Sequence, residues 1–567
     1  MTGRSPSLLE TRRAQLNPVF DTEELARIGR FGSRSRFAAG EIVAASGVTS
    51  DGVIVILSGS VAVTQADEVG QRVEVNQHGS GEIQGELAQL SGRPSLVTVR
   101  AVEDVEATRL SGADLHRLLL GEAELGERIM RALILRRMLL LEKGVGGPVI
   151  IGGAANPDVI RLSNFLTRNA HPFAQIEPGT PIADAILVQR KAKDLALPVL
   201  ICPGELVLSR PSDEELARCI GLLQPLEDGA AVDLVVVGAG PAGLACSVYA
   251  ASEGLSVILL DCRNIGGQAG ASSRIENFLG FPTGISGNAL MGRAMVQAQK
   301  FGVQTRVPSE AIGLSTIRAD KHLVKLADNK TIEARAVVIA SGASYRRLDV
   351  PGIDKFEDTS VHYWASPLEG RLCNGKDVVL VGGGNSAGQA AVFLAAHCRH
   401  VTLIARRSLS KTMSDYLIER ISMLGNVTVV EDARLLCLEG DNGELATVGY
   451  QQRKAEHPRT VAAQHLFLFI GADPNTDWLK GSGVMLDRRG YIITETESSA
   501  GHFLLQTSQP GVFAIGDARA GSAKRVAAAA GDAANVTPAI HAMLAAANAH
   551  PATGNAGELA ITVEIPA

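Results

Sequence analysis

The stretch Val232–Asp261, VDLVVVGAGPAGLACSVYAASEGLSVILLD, constrains the fold more than any other part of the chain. Leu234–Val237 is an apolar run of the kind that fills a buried parallel strand, and Gly238-Ala239-Gly240-Pro241-Ala242-Gly243 turns it into a helix. A second apolar run, Val257–Leu260, follows and ends in Asp261. Gly238 permits the tight turn, Gly240 lets backbone amides approach a pyrophosphate, and Gly243 lets the helix lie close to the sheet. The helix N-terminus then faces the phosphates, and Asp261 can accept from ribose hydroxyls. Strand, turn, helix, second strand and acid fall in one register, which is the pattern of a dinucleotide site.

With 567 residues the chain exceeds a single core and predicts three or four domains. A net charge of −6 gives no support to nucleic-acid binding. No apolar run has the length of a membrane span, and Met1–Asn17 lacks the apolar core of a secretory signal, so neither membrane insertion nor export is expected. The seven cysteines (Cys202, Cys219, Cys246, Cys262, Cys373, Cys398, Cys437) are odd in number and include no C-x-x-C pair. That spacing predicts a reducing cytoplasm, no disulfide framework and no metal site.

Residues 1–143 read as a β-barrel with C-terminal helices. Val53–Leu57 and Val61–Val63 are strands around the turn Ser58-Gly59-Ser60, Ser111 caps a helix from Asp114, and Leu125–Leu141 is an amphipathic helix. The order resembles the cyclic-nucleotide-binding domain of regulatory proteins, with the closest local match from Gly85-Glu86-Leu87-Ala88 to Arg100-Ala101. In that family the glutamate receives a ribose hydroxyl, and an arginine nine or ten positions later pairs with the cyclic phosphate. Those positions here hold Ser95 and Leu96, and the arginine before them is Arg93, followed by Pro94. Loss of a charge-assisted hydrogen bond of roughly 1.5–3 kcal/mol weakens phosphate binding at least about tenfold. The register therefore counts against a cyclic nucleotide in a pocket of Gly85, Glu86, Arg93 and Ser95. A docking or dimerisation module remains the other reading.

Lys143–Pro148 is a linker by composition. Residues 148–224 run strand (Val149–Ile151), helix (Pro157–Asn169), strand (Gln175–Glu177), strand (Leu197–Cys202) and a helix capped near Ser212. The order resembles a small thioredoxin-like domain, with Pro198 where that family carries its cis-proline. Working members hold a dithiol between the first strand and helix, and Gly152–Pro157 has none. Cys202 reads as a core residue, and the domain is expected to be redox-silent, serving structure or docking.

After Asp261 the segment Gly266-Gly267-Gln268 through Glu276-Asn277, then Ala340–Ala343, then Gly511–Asp517 and Lys524-Arg525-Val526 resemble the low-molecular-weight thioredoxin reductase family. The resemblance implies FAD held by Gly238, Gly240, Pro241, Ala242, Gly243, Asp261, Gly267, Gln268, Asn277, Gly516, Asp517, Arg525 and Val526. It also implies an FAD domain split into residues 232–344 and 471–548, with an inserted domain at 345–470 and a tail at 549–567. The whole is expected to be a multidomain α/β chain with two Rossmann-like units.

The inserted domain carries its own strand Asp377–Val381, turn Gly382-Gly383-Gly384-Asn385-Ser386, helix Gln389–Ala396 and strand Val401–Ile404. That last strand leads into Arg406, Arg407 and Lys411, where an NAD site wants an acid and a 2′-phosphate wants cations. Gly382, Gly384, Asn385, Ser386 and the three basic residues are the candidate NADPH site; a solvated basic loop is the plainer alternative. Gln389 and Ala390 stand where the family has two glutamates. Counting back from Gly382, the family's C-x-x-C falls on Ala365-Ser366-Pro367-Leu368, so Ala365 and Leu368 replace the redox thiols. Cys373 reads as single.

Two functions stay open. One is an NADPH-dependent flavin oxidoreductase that delivers electrons to an unidentified acceptor (a small redox protein, a quinone or oxygen), with regulation through the N-terminal domain. The other is a weakly catalytic or non-catalytic flavoprotein sensor. The family also implies a homodimer, for which the apolar face of Leu125–Leu141 is one surface; packing of that face inside the barrel domain is the equal alternative.

Overall fold

The computed structural model describes residues 13–549 apart from 67–71, 86–93, 144–146, 155, 170, 204–205, 224, 273, 358, 366, 442 and 496–502. The N-terminal unit consists of two facing four-stranded sheets. One is ordered Ser33–Phe37, Val105–Leu110, Val53–Ser58, Ile83–Gln84, and the other Ile42–Ala44, Thr98–Ala101, Val61–Ala66, Arg72–His78. Alternating apolar residues (Ile54, Ile56, Val61, Val99, Ala107) fill the space between them. Ser111 and Asp114 form a reciprocal capping box on the helix Gly112–Gly121, and Ala123–Lys143 follows. These two helices close the other side of the strand Val53–Ser58 through Val53, Val55, Leu118 and Ile129, and Val296 of a later helix packs into the same cluster.

The next unit has a sheet ordered Ala174–Ile176, Val149–Ile151, Val199–Ile201, Val207–Ser209, with the helix Pro157–Arg168 after the first strand. The Leu197–Pro198 bond is cis. Here the cysteine reading needs correction. Cys202 is disulfide-bonded to Cys219, Cα to Cα 5.7 Å, so it is not a lone packing residue. The two lie 17 residues apart in sequence. Folding brings them together because the helix Asp213–Cys219 packs its Leu216 and Ala217 into one core with Leu200 and Cys202. A pair formed across a tertiary contact leaves no C-x-x-C spacing in the sequence.

The two dinucleotide units follow. In the first, Gln304–Arg306, Val257–Leu260, Ala230–Val237 and Thr331–Ile339 are parallel neighbours, and Val512–Ala514 returns from far along the chain to lie parallel to Thr331–Ile339. The expected split of this unit is therefore present. The inserted unit has a five-stranded parallel sheet, ordered Val361–His362, His465–Leu468, Asp377–Val381, His400–Ile404, Val427–Val430. The chain leaves through Ala343–Tyr345 and returns through Ala472–Pro474, which pair antiparallel. The inserted unit's glycine helix runs Asn385–Ala395, four residues earlier at its start than the expected Gln389, since Gly384 is its N-cap. Among the described residues no helix is long and apolar enough to cross a membrane.

Candidate functional site

The glycine turn of the first unit shows which glycines the fold demands. Gly238 has φ +115, and a Cβ there would lie 2.2 Å from the Ala340 carbonyl oxygen. A Cβ on Gly243 would lie 1.8 Å from the Gly238 oxygen. Gly240 differs: a Cβ would meet nothing nearer than Gly267 Cα at 4.0 Å. The protein leaves open space there, and Gly240 caps the helix Pro241–Ser252 without any side-chain hydrogen bond. Unfilled N–H groups beside open space fit a pyrophosphate.

Asp261 also holds the protein's own backbone. Its carboxylate accepts from Ala239 N at 2.8 Å, Arg263 N at 2.9 Å and Asn264 N at 3.1 Å, so it ties the glycine turn to the loop after the second strand. Burial pushes its carboxyl up, and those backbone donors oppose the shift. With most of its acceptor positions taken, Asp261 has limited capacity left for a hydroxyl.

Gly266 N donates to Ala239 O at 2.7 Å, which sets Gly267 opposite Gly240. The Gln268 side chain donates to the Ala343 carbonyl, joining this segment to the strand where the chain leaves the unit. Asn277 is exposed, while its neighbour Glu276 pairs with Arg420 of the inserted unit at 2.9 Å. Gly516 has φ +67 and packs against Ala242, and its N donates to Asp532 at 2.9 Å. The last match thus comes against the first glycine helix. Burial pushes the Asp517 carboxyl up, and Lys524, which donates to the Asp517 carbonyl, opposes this. Arg525 is exposed and Val526 opens the helix Val526–Ala549.

In the inserted unit, Gly382 has φ +156 and a Cβ would lie 2.6 Å from the Phe469 carbonyl, whereas one on Gly384 would meet open space. Asn385 is held internally: its Nδ2 donates to Ser414 Oγ at 2.9 Å and its Oδ1 accepts from Ser414 N at 2.7 Å. Arg406, Arg407 and Lys411 are exposed at the end of His400–Ile404. Their loop is fixed beside the turn by Thr412 Oγ1 donating to Gly383 O at 2.6 Å. This geometry suits a nucleotide phosphate near the basic loop.

A cleft runs between the two units. Ala271, Ser272, Arg274 and Tyr345 line one wall, and Trp364, Ala365, Ser386, Gln389, Ala390 and Phe469 the other. The predicted positions Ala365, Ser386, Gln389 and Ala390 are therefore brought together. Leu368 lies on the helix Pro367–Leu372, but its side chain is outside the described residues. Burial pushes the Tyr345 hydroxyl up to about 12, so it remains a proton donor across the working pH range. At the cleft edge Arg168, from the thioredoxin-like unit, stacks over Trp364 at 4.9 Å, and Trp364 Nε1 donates to Glu369 at 3.0 Å. The same unit reaches the first glycine region through Asn169, which accepts from Ile265 N at 3.4 Å. Arg168, Trp364 and the Glu276–Arg420 pair were invisible in the sequence, because each contact joins different units.

In the N-terminal unit, Glu86 and Arg93 lie outside the described residues. Gly85 has φ +152 with Val53 against it, and Ser95 is buried, its hydroxyl donating to Val97 O at 2.9 Å. Sequence reading missed Arg136. From the long helix it donates to Gly85 O at 2.9 Å, Ile83 O at 3.0 Å and Leu16 O at 3.0 Å. Burial pulls this guanidinium down to about 10. A metal site was not expected either, yet the fold gathers His362, Cys373 and His465 with their ligand atoms within 4.8 Å of one another.

Comparison with known proteins agrees with this organisation. Residues 232–533 match the pyridine nucleotide-disulphide oxidoreductase family, and residues 34–122 match the cyclic nucleotide-binding domain. The chain is 32% identical over 303 residues to the 34.2 kDa protein in the rubredoxin operon of Clostridium pasteurianum, covering 53% of this chain and 93% of that protein. It is 31% identical over 309 residues to the alkyl hydroperoxide reductase F protein of Escherichia coli, covering 54% of this chain and 57% of that protein. It thus spans little more than half the length of that second relative. The crystal structure of Lactococcus lactis thioredoxin reductase in the FR conformation superposes with a TM-score of 0.52 and 25% identity, over 56% of this chain and 99% of that one. The T. acidophilum thioredoxin reductase gives 0.51 and 29%, over 55% and 98%. With its split parallel sheet, two glycine turns and a family match across both units, the chain belongs to the pyridine nucleotide-disulphide oxidoreductase family.

Proposed function

We propose that the chain is an NADPH-dependent flavin oxidoreductase of the thioredoxin reductase type whose electrons leave without passing through a dithiol in the inserted unit. Bound FAD supplies two-electron chemistry that protein side chains lack. The chain's own residues position the two nucleotides. The N–H groups around Gly240 and Gly267 hold one pyrophosphate, and those around Gly384 hold the other. Arg406, Arg407 and Lys411 select the 2′-phosphate by charge. Tyr345, Trp364 and Phe469 flank the cleft where nicotinamide and flavin rings would meet, and their aromatic faces would position the rings beside the polar groups of Ser272, Arg274, Ser386 and Gln389.

The observation that carries the exit step is Ala365, which lines this cleft where the family register places a thiol. A small redox protein, a quinone or oxygen would then take electrons directly. The sensor reading rests on a different observation, that Arg168 of the thioredoxin-like unit occupies the cleft edge over Trp364.

Regulation from the N-terminal unit would run through the helix Gly287–Lys300. Its Val296 packs against the N-terminal helices, and its Gly287 abuts the Ala269 carbonyl beside the Gly266–Gln268 segment. We place the protein in the cytoplasm and expect it to act as a homodimer. Anaerobic mixing with each nucleotide tests the reductase reading. NADPH should bleach the flavin absorbance faster than NADH does, and bleaching by neither would leave the sensor reading.

A further inference from the structure

Three side chains with soft-metal chemistry meet at the foot of the inserted unit's sheet, and a fourth touches one of them. His362 ends the strand Val361–His362, and His465 begins the neighbouring strand His465–Leu468. Their rings face each other with His362 Nε2 3.0 Å from His465 Nδ1. Cys373 Sγ and one ring nitrogen of each histidine lie within 4.8 Å of one another. Cys398, just before the strand His400–Ile404, has its thiol in hydrogen-bonding contact with that of Cys373. Cys373 is fully buried, and Cys398 and His465 are only 6% and 7% exposed. The Cys373 and Cys398 loops precede the strands whose far ends carry Gly382 and the basic loop, so the cluster is at the opposite end of the sheet from the nucleotide.

We propose that His362 Nε2, His465 Nδ1, Cys373 Sγ and Cys398 Sγ form a closed two-nitrogen, two-sulfur site for a zinc ion. Zinc takes nitrogen at about 2.0–2.1 Å and thiolate sulfur at about 2.3 Å in a tetrahedron. That geometry sets neighbouring ligand atoms roughly 3.3–3.8 Å apart; the His362, Cys373 and His465 ligand atoms, already within 4.8 Å of one another, draw in slightly, and Cys398 Sγ swings in from its contact with Cys373. Zinc enters by displacing the two thiol protons, which pass to solvent, while the proton between the rings moves to the nitrogen of its ring that faces away from the metal, so that both imidazoles bind neutral.

The Lys376 ammonium, 3.1 Å from His465 Nε2, belongs to an exposed side chain and can turn outward. The Leu372 carbonyl, which already interacts with His465, then takes the Nε2–H. With all four positions supplied by protein there is no open coordination site, so the role is structural. The ion would anchor both ends of the 362–373 segment, which carries Trp364 and Ala365 in the cleft wall. This inference does not depend on which acceptor the flavin serves.

The test uses the full chain purified from zinc-supplemented cells, desalted, with metal measured by plasma mass spectrometry and flavin by absorbance. About one zinc per chain is expected, falling to under about a tenth in Cys373→Ser and His465→Gln, with flavin content retained. A second measurement needs no variant to fold. The wild-type chain reconstituted with Co2+ should show tetrahedral ligand-field bands at wavelengths beyond the flavin absorption, together with thiolate charge transfer. Wild-type protein that holds no zinc and takes up no Co2+ would overturn the site, as would equal zinc in wild type and Cys373→Ser.

Discussion

Gly240 and Gly243 sit three positions apart and answer to different demands. Gly243 is required by the protein, because a Cβ would strike the Gly238 carbonyl oxygen at 1.8 Å. Gly243→Ala should therefore lower the unfolding free energy by roughly 1–3 kcal/mol and lower flavin content with it. Gly240→Ala has space for its Cβ and should leave the unfolding midpoint of flavin-stripped protein unchanged while reducing flavin binding. Parallel thermal unfolding and flavin absorbance on both variants separates the two causes.

Arg406 and Arg407 should act on one nucleotide only. Replacing both with alanine should raise the KM for NADPH at least about tenfold and leave that for NADH unchanged, since each charge-assisted contact contributes roughly 1.5–3 kcal/mol. Steady-state kinetics with the two nucleotides reads the difference.

His78 gives the N-terminal unit an acid response. It is 3% exposed, and burial pushes its imidazole down to about 3, with the Arg136 charge adding to the shift and the Glu82 carboxylate 3.5 Å away. The unfolded chain takes up this proton below about pH 6.5, and the folded one only near 3. Stability is therefore complete above 6.5 and lost as pH falls toward 3. Between pH 6.5 and 5 the loss from this group reaches about 2 kcal/mol. Denaturant unfolding at the two pH values should show a smaller drop in His78→Gln than in wild type.

At the scale of elements, legibility followed the range of the interactions. The strand–glycine–helix units were readable because the turn, the helix N-terminus and the apolar strand are all local in sequence. Ser111 announced its helix for the same reason, through a capping box spanning three residues. Asp261 follows the second strand as expected, while its bonds to Ala239, Arg263 and Asn264 are contacts that the motif does not spell out. The Cys202–Cys219 bond and the His362, His465, Cys373, Cys398 cluster were unreadable because their members come from separate segments. Arg168 was likewise silent until the helix Pro157–Arg168 was seen to end over Trp364. A buried cation–π contact contributes roughly 0.5–2 kcal/mol. Arg168→Ala should loosen this edge, read as a change in Trp364 fluorescence and faster amide exchange across 362–373; an unchanged pattern would show that the contact does not hold the cleft wall.

Across the whole molecule, the N-terminal unit packs on a helix of the first dinucleotide unit, and the thioredoxin-like unit reaches the edge of the cleft between the two dinucleotide units. Val296 and Gly287 share one helix that touches both the N-terminal helices and the Gly266–Gln268 segment, and Arg168 reaches the same cleft from the third unit. On the function proposed above, electrons enter through NADPH and leave without a dithiol at the cleft. Anaerobic titration of the oxidised protein with NADPH tests it most directly. If the flavin is the only centre that fills, bleaching should finish at about one equivalent of NADPH per FAD, one two-electron step. An end point of about two equivalents, with a new pair of titratable thiols appearing in the inserted unit, would show that a disulfide there takes the electrons.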